Sequence, residues 1–152
     1  SKALLHAARF SERVAGAIVL APHILVEDLS VDSIAQARTA YRETDMRERL
    51  AKYHDDPDSA FWRWNNIWLH PPFKQWSIEQ EIESIACPLL AVQGIDDEYG
   101  TLEQIRGIAR RVPHTELLEL ADCRHSAHKD QAERVIAAAT TFIQRHSNGD
   151  KT

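Results

Sequence analysis

Two hydrophobic patterns alternate along this chain. Residues 14–21 are apolar throughout, without polar alternation, and stop at Pro22. A run of that kind predicts a strand covered on both faces, as in a parallel sheet between layers of helix. Pro88 precedes a second such run, Leu89-Leu90-Ala91-Val92-Gln93, closed by Gly94. A third stretch, 115–120, is more polar and is expected nearer the sheet edge. Helical spacing fills the gaps. Ala3, Leu4, Ala7 and Ala8 mark an opening helix. Leu102, Ile105, Ile108, Ala109 and Val112 form the inner stripe of a helix that begins with a Thr101/Gln104 capping-box pattern and ends at Pro113. An Asp130/Glu133 pattern opens the last helix, whose apolar side carries Val135, Ile136, Ala139, Phe142 and Ile143. Strand, helix, strand, helix is the alternation of an α/β fold: a three-layer, partial parallel sheet flanked by helices.

Residues 24–86 break the alternation. Helix-like stretches lie at 31–42 and 46–53, and a third is opened by Asp56-Pro57-Asp58. All four tryptophans fall between 62 and 76, and a Ser77/Gln80 capping-box spacing predicts a return helix. The expected organisation is a helix and strand at 1–23, an all-helical insertion with its return helix at 24–86, a βαβα stretch at 87–146 and a disordered tail at 147–152.

Composition acts mainly by exclusion. With 152 residues, 43% hydrophobic and 27% charged, the chain can bury a core and is not of disordered composition. A net charge of −5 argues against a nucleic-acid partner, which would need clustered Lys and Arg. No apolar run approaches the ~20 residues needed to cross a bilayer, so a membrane-spanning role is not expected. Cys87 and Cys123 are too few and too loosely spaced for a disulfide framework or a zinc site, which favours a reducing compartment, the cytoplasm. The chain opens on Ser1 and passes directly into a helix, so it reads as a piece cut from a longer protein.

Candidate chemistry sits in two loops. Gly94-Ile95-Asp96-Asp97-Glu98-Tyr99-Gly100 leaves one predicted strand, and Asp122-Cys123-Arg124-His125-Ser126-Ala127-His128 leaves the next. Parallel strands joined by a crossover helix deliver both loops to the same sheet edge, where ligand and catalytic groups of open α/β sheets collect. A carboxylate that accepts the Nδ1 proton of a histidine fixes its tautomer and stabilises the imidazolium. The pair would make two thirds of a catalytic triad. Asp96 is the rival acid, and Glu27 with Asp28 offers another position after the first strand. His125, His128 and Asp130 have poor spacing for a metal site, and Cys123 reads as structural.

Gly-x-x-Asp after a strand, followed by helix, strand and a loop histidine, resembles the C-terminal half of the α/β-hydrolase fold family, and the block at 24–86 resembles that family's helical cap. The resemblance covers nearly the whole chain and implies Asp97 as triad acid and His125 as triad base. The opening helix resembles the one that follows the nucleophile elbow. Gly-x-Ser-x-Gly itself is absent: none of the five glycines is placed to form it. Arg124 also stands where the family places a glycine. Ser1 lacks the flanking glycines and preceding strand of an elbow. The resemblance therefore implies a nucleophile upstream of Ser1, in a missing N-terminal half of the same fold, and a chain inactive alone. The implied substrate is a small ester or related acyl compound, with Trp62, Trp64, Trp68 and Tyr99 as pocket residues and no cofactor. The same residues suit a dehalogenase or an epoxide hydrolase with an Asp nucleophile. A non-catalytic α/β binding module is the alternative from a different class.

Overall fold

Three strands run parallel in the order β1 (Ala17–Leu20), β2 (Leu89–Gly94), β3 (Thr115–Leu120). The structure is a computed structural model and describes residues 1–147. Ala17 stands opposite Leu89, Leu89 opposite Thr115, and Gly94 opposite Leu120. Central β2 is buried along its whole length, as its unbroken apolar run requires. The more polar β3 lies at the edge.

Side chains of β2 alternate between two helical layers. Leu90 and Val92 join Leu120, Cys123, Ala127, Val135 and Phe142 in one core cluster, supplied by α6 (Ala127–Asp130) and α7 (Ala132–Ser147). Against β2 and β3 also packs α5 (Glu103–Arg111), with Ile105 and Ile108 fully buried. The opening helix α1 (Lys2–Arg9) lies against β1 and buries Leu4 and Ala7. The fold class is α/β, a parallel sheet flanked by helices.

Four details differ from the expectations. Strand β1 keeps only part of its apolar run, and among its residues only Val19 is buried, because β1 pairs with β2 alone among the described residues. Helix α5 has Leu102 at its N-cap, one residue past the Thr101 of the Thr101/Gln104 pattern. Thr101 Oγ1 accepts from the Glu103 N–H at 3.1 Å, while the Gln104 side chain is buried and tied to Ile24 and Leu25. Helix α7 starts at Ala132, not at the Asp130/Glu133 pattern, because the Asp130 carboxylate is engaged by the Arg124 N–H. The return helix is only a short 3₁₀ turn, Glu81–Ser84. Ala86 N–H is committed to Ser11 Oγ at 2.9 Å, so the turn does not continue past Ile85. Of the predicted tail, Ser147 closes α7 and the remainder lies outside the described residues.

The chain divides into two compact units, 1–25 with 77 onward and Val26–Trp76. Ile24 and Leu25 belong to the sheet unit, where both bond to Gln104 and Leu25 bridges Ser77. The second unit holds α2 (Asp28–Glu43), α3 (Met46–Ala51), α4 (Pro57–Trp68) and a 3₁₀ turn, Pro71–Gln75. Asp56 caps α4 by accepting from the Ser59 N–H at 2.9 Å, with Pro57 preset for the first helical position. Ala37, Tyr41 and Phe61 form the buried centre of this unit.

Candidate active site

Where β2 ends, its loop and the loop after β3 cross at backbone contact. Ile95 N–H donates to the Leu120 carbonyl at 2.8 Å, and Asp96 N–H to the Cys123 carbonyl at 3.1 Å. A Cβ at Gly94 would stand 2.0 Å from the Cys123 carbonyl oxygen. No larger residue fits without moving main chain, which gives the glycine of Gly-x-x-Asp its physical reason.

This crossing separates the two candidate acids. Asp96 is exposed, whereas Asp97 is buried and faces His125. The imidazole Nδ1 lies 3.0 Å from Asp97 Oδ1 and 3.1 Å from Oδ2. Tyr99 N–H donates to Oδ1 at 2.9 Å, and Gln93 Nε2 to Oδ2 at 3.2 Å. Burial alone would push the Asp97 carboxyl up, but the hydrogen bonds from His125, Tyr99 and Gln93 and the His125 charge outweigh it and hold the group below the usual carboxylate range. His125 moves the opposite way. Its hydrogen bond to Asp97 overcomes partial burial and, with the charges of Asp97 and Glu98, holds its pKa above the ordinary imidazole value. With Nδ1 donating to the carboxylate, Nε2 is the nitrogen left to accept a proton.

The loop that carries His125 is pinned on both sides. His125 N–H donates to Glu98 Oε2 at 3.2 Å, and Arg124 N–H to Asp130 Oδ2 at 2.9 Å. Gln131 Nε2 holds the Ala121 and Asp122 carbonyls, and Asp122 adopts a positive φ of 51°. The Tyr99 ring stands edge-on to the imidazole at 5.0 Å between centroids, and the His23 ring lies 6.2 Å away. The structure brings Asp97, His125 and Tyr99, which the sequence singled out, into contact, and adds the hydrogen bonds of Gln93, Glu98 and Asp130 around them, which it did not. Only the proximity of Glu98 and Gln93 to Asp97 in the chain could have drawn attention to them.

Other candidates have different partners. Asp28 pairs with Lys74 at 2.8 Å. Ser1 Oγ donates to the His23 carbonyl at 2.6 Å. Cys123 is buried, and burial pushes its thiol pKa up, away from the thiolate a nucleophile needs. His128 is exposed, and among the described residues no group of three or more His, Cys, Asp or Glu is placed to hold a metal. The tryptophans belong to the unit Val26–Trp76. There Trp62 packs edge-on to Tyr41 and Phe61, with the Arg38 and Arg42 guanidiniums 5.9 and 5.2 Å from its ring centroid. Trp64 packs on Phe61, and Trp68 on Phe73 and Trp76. No helix among the described residues is long and apolar enough to cross a membrane.

Comparison with solved structures bears on the whole arrangement. The enol-lactonase of Burkholderia xenovorans LB400 superposes with a TM-score of 0.63 at 18% identity, covering 93% of this chain and 61% of that one. The meta-cleavage product hydrolase CumD of Pseudomonas fluorescens IP01 gives 0.70 at 16% identity, covering 94% and 60%. A carboxylesterase of Nitrososphaera gargenis gives 0.68 at 13% identity, covering 95% and 61%. The chain has the α/β-hydrolase fold. It spans about three fifths of each of these α/β-hydrolases. No protein-family model matches it. Among curated proteins, the L-allo-isoleucyltransferase of Pseudomonas savastanoi pv. glycinea is 34% identical over 64 residues, 42% of this chain and 23% of that protein.

Proposed function

We propose that this chain supplies the base and the acid of an α/β-hydrolase that acts on a small ester or related acyl compound. The observation that carries the reading is the 3.0 Å contact between His125 Nδ1 and the buried Asp97 carboxylate, at the strand ends of a parallel sheet. His125 takes a proton from a serine hydroxyl through Nε2 and returns it to the leaving group; Asp97 fixes the ring and stabilises the imidazolium. The serine and the oxyanion hole come from residues of the same fold upstream of Ser1. Tyr99 is the proposed pocket residue: its ring stands edge-on beside the base, and a large aromatic face suits an apolar acyl group.

The partial match to an isoleucyltransferase favours a second reading on the same residues, in which an acyl-enzyme is resolved by an acceptor other than water. Both readings need the same acid and base. The test joins the natural upstream coding sequence to this chain and assays p-nitrophenyl acetate with and without an added amine or thiol acceptor. Ester turnover that falls about 10⁴-fold in His125→Ala supports the proposal, and acceptor-dependent product selects acyl transfer. Turnover by the 152-residue chain alone, abolished by His125→Ala, would contradict the upstream nucleophile.

A further inference from the structure

Gln93 is the polar exception in an otherwise apolar central strand. It is 1% exposed, at the penultimate position of β2, four residues before Asp97. Its Nε2 donates twice, to Asp97 Oδ2 at 3.2 Å and to the Gly100 carbonyl at 2.7 Å. Both neighbours are acceptors without a proton to give, so only the –NH₂ end can face them; the amide cannot be turned around. Its Oε1 is buried and has no hydrogen-bond partner among the described residues. An apolar side chain of the same length would fill that space without the cost of a buried orphan acceptor. The amide is therefore explained by its donor end, which serves the Gly100 carbonyl and the Asp97 carboxylate together.

From this geometry we infer that Gln93 is a positioning residue: its Nε2 fixes the rotation of the Asp97 carboxylate so that both oxygens face His125 Nδ1. The Tyr99 N–H holds Oδ1, the Gln93 amide holds Oδ2, and the Gly100 carbonyl holds the amide. Two donors on two different oxygens define the carboxylate plane, which one alone would leave free to turn. The inference rests on the Asp97–His125 reading above and adds to it the group that orients the acid.

The test is NMR on the full chain, with Gln93→Met removing the donor at nearly constant volume. Loss of a hydrogen bond to the charged form makes the carboxyl easier to protonate. Asp97 Cγ in the folded variant is expected to begin protonating about one pH unit higher than in the parent chain. A purely structural role would alter stability and leave that onset in place. An unchanged onset overturns the inference. A second measurement decides the matter even if Gln93→Met does not fold. In the parent chain the Gln93 Nε2 protons exchange slowly, and one of them shifts upfield in Asp97→Asn, where a neutral acceptor replaces a charged one. Fast exchange, or a signal indifferent to Asp97→Asn, overturns the inference as well. Asp97→Asn also checks the foundation. If it leaves the His125 titration unchanged, the acid–base reading itself fails and takes this one with it. If it lowers the His125 midpoint while Gln93→Met leaves Asp97 unmoved, only the role of Gln93 fails.

Discussion

The charge on Asp97 and the proton on His125 support each other, and their opposite shifts make that dependence measurable. Asp97 titrates below its ordinary value of about 3.9, so its contribution to stability is complete above that pH and is lost as pH falls through its lower folded-state value. His125 titrates above about 6.5, so its contribution is complete below that pH and is lost as pH rises through its higher folded-state value. Asp97→Asn is expected to flatten both flanks of the stability–pH curve and to return the His125 midpoint to or below the ordinary range, read from its Cε1–H signal. In an elbow-bearing version of the protein, activity should rise with pH through the raised His125 midpoint, because the base works deprotonated. Asp97→Asn should lower kcat by about 10⁴-fold there. Asp97 could be favoured over Asp96 from the Gly-x-x-Asp spacing, but the burial that separates them is tertiary. Gln93 was not legible as a donor to Asp97, since a glutamine ending an apolar run reads only as the end of that run.

Loops and strand ends, more than the strands, carry the cost of assembling the site. Gly94→Ala must displace the Cys123 carbonyl, which is main chain and cannot swing aside, and is expected to destabilise by about 3 kcal/mol. Chemical denaturation measures that, and the His125 Nδ1–H signal should broaden or vanish in the folded fraction, because the same crossing sets the distance from acid to base. Ala21, just after β1, holds a positive φ of 43° without being glycine. Ala21→Gly should therefore be neutral or stabilising by up to about 1 kcal/mol, and Ala21→Val destabilising. Hydrophobic pattern was enough to place all three strands and the longer helices, since burial on two faces leaves an unmistakable run. It misplaced the capping boxes at Thr101/Gln104, Asp130/Glu133 and Ser77/Gln80. In the first two a polar side chain at the predicted position serves another backbone group instead, Gln104 that of Ile24, far along the chain, and Asp130 that of Arg124 in the preceding loop, and capping-box spacing contains no information about such partners. In the third, the Ala86 N–H bonds the Ser11 side chain and the turn ends there.

At the scale of the molecule, each unit has its own source of cohesion. In Val26–Trp76 the Phe61 ring stacks on Tyr41 at 3.8 Å between centroids and meets Trp62 and Trp64 edge-on. Phe61→Ala is expected to cost that unit about 3–5 kcal/mol, read by hydrogen exchange of α2 and α4 amides. The sheet unit must instead close β1 onto β2 across a long stretch of sequence, Ala17 to Leu89, before any strand pairing offsets the lost chain entropy. The residues flanking that stretch already lie side by side. Leu25 bridges Ser77 antiparallel, and Ile78 N–H bonds the Ile24 carbonyl at 2.8 Å. Replacing 26–76 by an Asn-Gly turn should therefore let the remainder fold with the His125 midpoint still raised, a result one titration can check. That neck makes the chain modular: everything between the two joints is one uninterrupted stretch of sequence that can be exchanged as a block, while acid, base and the amide behind them stay together downstream.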